Sequence, residues 1–208
     1  SYEPKRTDKE IAELSTTYPD SLNIKELLFA ATLTENKEAK RTIYNSVINL
    51  HNDWRGYNNL ACTYMKENNH SKARNLLSKA EEVGGKQSDI LINEGILSAW
   101  AGSLKHAQTK YNQGNAGEKN QAILNIRQAE YAKAERFFKN KKSHNAALAQ
   151  LLTGKNSANC NEQTAACYYL NAIAAARSGN DNAVINHLTK AINTDASYKR
   201  EAAQDLEF

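Results

Sequence analysis

The stretch YNNLACTYMKENNHSKARNLLSKA, Tyr57 to Ala80, carries two amphipathic helical patterns separated by a break. Tyr57, Leu60, Ala61 and Tyr64 recur at i, i+3, i+4 and i+7, so they share one helical face. Asn68-Asn69 interrupts the pattern, and asparagine tolerates the left-handed backbone that ends a helix. Beyond the break, Ala73, Leu76, Leu77 and Ala80 fall on one side of a second helix. Small residues at Ala61 and Ala73 let the paired helices approach closely. Tyr57, Leu60, Tyr64 and Leu77 fill the space that remains. One such hairpin leaves its apolar face uncovered, so neighbours must stack on it.

Working outward, one period of about 34 residues before Ala73 and Leu77 lands on Ala39 and Ile43. An earlier repeat is therefore expected, with Leu27, Leu28 and Ala31 on its first helix. One period after the stretch, Gly95 stands for Ala61, Ala107 for Ala73, Tyr111 for Leu77 and Gly102 for Asn68. The spacing then shortens. QAILNIRQ followed by EYAKAERFF places Ala122, Ala134 and Phe138 in the same slots. SHNAALAQLLTGKNSA reads as a trimmed hairpin turning at Gly154. TAACYYLNAIAAARSG and DNAVINHLTKAIN form the last hairpin, turning at Gly179, and Tyr198 to Phe208 is expected as a polar capping helix. Before the repeats, residues 1–6 read as a linker and Thr7 to about Thr17 as a short helix ended by Pro19. The expected domain is a single one over residues 7–208. Its repeats fall near 20–53, 54–87, 88–116, 117–142, 143–163 and 164–198, with a cap at 199–208.

The aromatic-x2-Leu-small-x2-Tyr…Ala-x3-apolar…Ala spacing resembles the tetratricopeptide repeat (TPR) family. The resemblance implies an all-α TPR-type α-solenoid of about five helical hairpins, with one concave and one convex surface. It also implies a non-enzymatic protein-protein interaction function. DWRGYNNLA, EYAKAERFF, HNAALAQLLTG and YYLNAIAAARSGN…DLEF further resemble the C-terminal TPR region of outer-membrane-protein-A-family proteins of the Bacteroides-type envelope. That likeness runs from about Thr7 to the C-terminus. It implies a periplasmic, outer-membrane-associated address and a larger parent chain with a peptidoglycan-binding domain outside these residues; a cytoplasmic address stays open.

Composition sets the outer bounds. The chain has 208 residues, 40% hydrophobic and 24% charged, with two prolines and nine glycines, which suits an all-helical domain. The net charge of +4 is too small to mark a nucleic-acid binder. No apolar run reaches the length of a membrane span, so no direct membrane insertion is expected. Ser1 opens directly onto polar sequence without a leader, which reads as a mature or excised piece.

A column of asparagines is the most informative polar feature. Asn59, Asn93, Asn120 and Asn145 each stand two residues before the small residue of a first helix. In a TPR that slot points to the concave groove. An amide donates and accepts, so a row of them suits the backbone of an extended peptide; the same amides could instead bond neighbouring helices. The two-carboxylate clamp of some TPR adaptors needs a lysine one residue earlier. Asn58, Ile92, Lys119 and His144 stand there, so only Lys119 fits, with Arg127 further along its helix. Between Lys105 and Lys142 nine cations stand against three acids, either a solvated face or a surface for an acidic partner. No aromatic set alternates with these cations, which argues against nucleic acid.

Cys160 and Cys167 flank NEQTAA, a spacing that fits a small disulfide-closed loop in an oxidising compartment or two free thiols in a reducing one. Cys62 reads as a core thiol. His51, His70, His106, His144 and His187 are scattered singly, with no metal-ligand spacing, and no cofactor motif occurs. Trp54 and Trp100 read as packing residues. The competing function is a structural spacer or assembly module without a ligand groove.

Overall fold

The computed structural model describes residues 6–208, so residues 1–5 of the expected linker lie outside the described residues. Every regular element among the described residues is helical. Among the described residues no helix is long and apolar enough to cross a membrane. The chain divides into two compact units, Ser1–Ala116 and Gly117–Phe208.

In the first unit α1 (Asp8–Thr17) precedes a 3-10 turn at Pro19–Ser21. Three antiparallel hairpins come next: α2 (Ile24–Ala30) with α3 (Lys37–His51), α4 (Trp54–Met65) with α5 (His70–Gly84), and α6 (Ser88–Trp100) with α7 (Leu104–Gln113). Thr7 and Asn23 start α1 and α2 with reciprocal capping boxes to Glu10 and Glu26. Glu26 also holds Arg6, at 3.0 Å, so the last residue of the expected linker is docked on α2. Leu27, Ile43, Leu77 and Ile90 are fully buried, each side chain contributing about 1.5–3 kcal/mol.

The small-residue slots behave as the pattern predicts. Ala61, Ala73 and Ala107 are completely buried at the helix crossings. The α6–α7 pair carries a larger ring, Tyr111, where α5 has Leu77. The facing slot shrinks to Gly95, and a Cβ there would lie 2.5 Å from the Tyr111 ring. Trp54 packs against Gly84 in the same manner.

The second unit holds the α8 (Glu118–Arg127) and α9 (Tyr131–Phe138) hairpin, the single helix α10 (His144–Leu152), and the α11 (Ala165–Arg177) and α12 (Asp181–Thr194) hairpin, with α13 (Tyr198–Ala202) after them. Two expectations are corrected here. The trimmed hairpin near 143–163 has only its first helix; residues after Gly154 run irregularly to the start of α11. The expected capping helix stops at Ala202. The last residues fold back onto α11 through side chains instead. Tyr169 Oη donates to Asp205 at 2.7 Å, Arg177 Nε meets Glu207 at 3.0 Å, and the Phe208 ring meets Tyr169 edge-on. Burial first, then the Asp205 carboxylate, raises the Tyr169 phenol well above its ordinary pKa.

One turn recurs in both units. Asn68, Gly102, Ala129, Gly154 and Gly179 all have positive φ, between 58° and 85°. Each donates to the carbonyl three residues back, and the next residue donates to the carbonyl five back, all at 2.8–3.1 Å. This is the Schellman arrangement, which satisfies the carbonyls a helix end leaves unpaired. Ala129 is the member without a favourable residue for that backbone. Replacing it, Ala129→Gly, is expected to raise the urea midpoint by a gain of about 0.5–1 kcal/mol, because the left-handed penalty exceeds glycine's entropic one. Gly95→Ala is expected to lower it by about 1–3 kcal/mol, since the Tyr111 ring has no room to yield.

Candidate functional site

The asparagine column has a different environment in each unit. In the first, Asn58 on α4 is buried and its Nδ2 donates to Asn59 Oδ1 at 3.2 Å. Asn93 on α6 donates through Nδ2 to Asn58 Oδ1 at 2.9 Å and to Cys62 Sγ at 3.3 Å. The amides thus form a ladder from α4 to α6, and the residue at its centre, Asn58, belongs to the clamp slot and not to the column. Burial raises the pKa of the Cys62 thiol, so it remains protonated in this ladder.

In the second unit Asn120 on α8 and Asn145 on α10 are half-buried, and their amides make no side-chain hydrogen bond among the described residues. Lys119 beside Asn120 is exposed, as is Arg127 in the last turn of α8. The basic stretch is partly neutralised. Lys110 meets Glu94 at 2.5 Å, Lys133 pairs with Glu130, and Glu135 holds Lys155. Lys141 lies 3.7 Å over the Phe137 ring. Trp100 stacks on His70 with centroids 5.2 Å apart and stays partly exposed.

A cleft of about 590 Å3 opens in the second unit, beside the irregular segment. Gln150 of α10, Asn156 and Asn159 of the segment, Asn171 of α11, the α12 N-cap Asn180 and His187 of α12 line it. Ala174 and Ala175 also line it, and among the described residues no carboxylate, lysine, arginine or large aromatic ring borders it. His187 Nδ1 is buried without a hydrogen bond among the described residues, and burial, then the nearby Lys190 charge, holds the imidazole below its ordinary pKa.

Side chains, not a helix, hold the segment in place. Cys160 and Cys167 are joined as a disulfide with Cα atoms 5.4 Å apart. Asn171 accepts from Cys160 N at 2.9 Å and donates to Cys160 O at 2.8 Å, imitating one rung of a sheet. Glu162 lies beside the two sulfurs. Joined to each other, those sulfurs are not thiolates and offer no ligand pair to a metal. Closing so short a loop stabilises the fold by roughly 2.5 kcal/mol in the chain-entropy account. The sequence signal for this cleft was Asn171 itself: counted back from Gly179, it takes the slot Leu60 occupies before Asn68. An amide in a core slot serves main-chain groups, as Asn171 does.

Neither a protein-family model nor a curated relative matches the chain. Solved structures do resemble it. A tetratricopeptide repeat protein from Parabacteroides merdae superposes with TM-score 0.59 at 17% identity, covering 93% of this chain and 96% of that one. PilF of Pseudomonas aeruginosa superposes with TM-score 0.55 at 12% identity, covering 95% and 97%. These likenesses show a TPR-type helical-repeat fold.

The two halves of the asparagine column are expected to differ in stability measurements. Asn93→Ala leaves the buried Asn58 carbonyl unpaired and should cost about 1–3 kcal/mol in urea unfolding. Asn120→Ala, which breaks no bond, should stay within about 0.5 kcal/mol of wild type.

Proposed function

We propose that the chain is a non-catalytic interaction module that grips an extended segment of a partner protein through Asn120 and Asn145. The observation that carries this reading is that these two amides, on the first helices of the second unit, make no side-chain hydrogen bond among the described residues. Both are side chains of rigid helices, so little entropy is lost on binding. Lys119 favours an acidic residue beside the gripped main chain. The TPR-type fold supports the reading, since stacked hairpins offer extended binding surfaces. A cell-envelope, periplasmic address fits it, and the Cys160–Cys167 disulfide supports an oxidising compartment.

A structural spacer is the second reading, favoured by the Asn59–Asn58–Asn93 ladder, which commits the first unit's amides to stacking. The test is capture from an envelope extract by wild type beside Asn120→Ala/Asn145→Ala, with circular dichroism confirming equal folding. Capture of one specific protein by wild type, reduced at least tenfold in the variant, is the expected result. Equal capture by both removes the asparagines from the interface, and no capture by either favours the spacer.

A further inference from the structure

We propose that the cleft of the second unit is a separate peptide-binding site for a neutral, small-side-chain segment, with one wall held in place by the Cys160–Cys167 disulfide. It rests on the reading above only for the class of ligand, a peptide.

Residues 156–159 make no main-chain hydrogen bond to any other described residue. Their main-chain donors and acceptors therefore have no partner among the described residues, and all four residues line the cleft. The segment is nevertheless tied at both ends. Lys155 N donates to Gln150 O at 3.1 Å, and Cys160 is held by the disulfide and by both bonds to Asn171. Unpaired main chain fixed in this way is a template for another main chain, because binding to it orders nothing further. The rest of the lining offers the amide of Gln150, the Nδ2 of Asn180, whose Oδ1 caps α12, and the imidazole of His187. These groups donate and accept without charge, as a peptide bond does. Ala174 and Ala175 add small apolar side chains to the lining, which suits a segment of alanine, serine or glycine. The volume lies within the range of ligand clefts, about 300–1,000 Å3. No large aromatic ring lines the cleft to stack on a sugar face, which separates a peptide from a glycan.

The experiment is a titration of 15N-labelled protein with an acetylated, amidated hexapeptide of alternating alanine and serine, at millimolar concentration. The amide signals of residues 156–159 are expected to move. Gln150→Ala/Asn156→Ala/Asn159→Ala, which breaks no side-chain hydrogen bond among the described residues, should weaken binding at least fivefold. Cys160→Ser/Cys167→Ser, checked for helicity by circular dichroism, should abolish it. Asn120→Ala/Asn145→Ala should titrate like wild type, which separates this site from the asparagine pair. Unmoved signals at 156–159 in wild type overturn the site, whatever partner capture shows. Movement with a neutral chitotetraose and not with the peptide overturns the ligand class. Undiminished binding by the folded double-serine variant overturns the role of the disulfide.

Discussion

Four first helices, α4, α6, α8 and α11, hand the chain to an antiparallel partner within three or four residues, and one left-handed residue makes that reversal possible. At Asn68, Gly102, Ala129, Gly154 and Gly179 the same two hydrogen bonds close the helix end. The turn fixes where the next helix begins, and so which face of it meets the first. Apolar residues then need only stand at the right distance from the turn. The segments after the turns differ. Asn69 and Asn180 cap the next helix through their side chains. Glu130 supplies no such cap, yet α9 forms because Ala134 and Phe138 bury its inner face. After Gly154 comes Lys155, which has no acceptor for a helix N-terminus, and the NSAN beyond it has no apolar period. The turn is made and no helix answers it. The cleft exists because of that failure: a helix there would have paired the main chain that now stands open.

Close packing adds a second constraint, visible in a substitution the chain makes against itself. Leu77 packs in one cluster with Ala61, whereas Tyr111 faces Gly95. A larger ring on one helix is matched by loss of a methyl on the other, so the interhelical distance is kept. Interiors at crystal-like density allow no other exchange. Repeats with different residues can therefore stack with one spacing.

Much of this was legible in the sequence. Turns at Asn68, Gly102, Gly154 and Gly179 announce themselves because asparagine and glycine are the residues that backbone prefers. Ala129 gives no such sign; its neighbours' hydrogen bonds impose the conformation on it. Periodicity hides the missing helix after Lys155, because it carries a hairpin forward from α10 whether or not its second half can be capped or covered. The end of the chain misled in the opposite direction. Helix-forming composition from Tyr198 onward suggested a cap, but Asp205, Glu207 and Phe208 find partners on α11 that a continuous helix would have denied them.

The asparagine column shows why a register does not by itself name a role. Position placed all four residues on first helices at equivalent slots. What each amide does depends on its neighbour. Where Asn58 is buried on the adjacent helix, Asn93 must pair with it, since an unpaired amide there costs more than the bond returns elsewhere. A donor already held at 2.9 Å gains little by turning to a ligand. In the second unit no buried amide makes that demand, and Asn120 and Asn145 keep their hydrogen-bonding capacity. Free hydrogen-bonding capacity in this fold is therefore what remains after stacking has taken its share, and more of the column keeps it in the unit whose repeats are shortest and least regular.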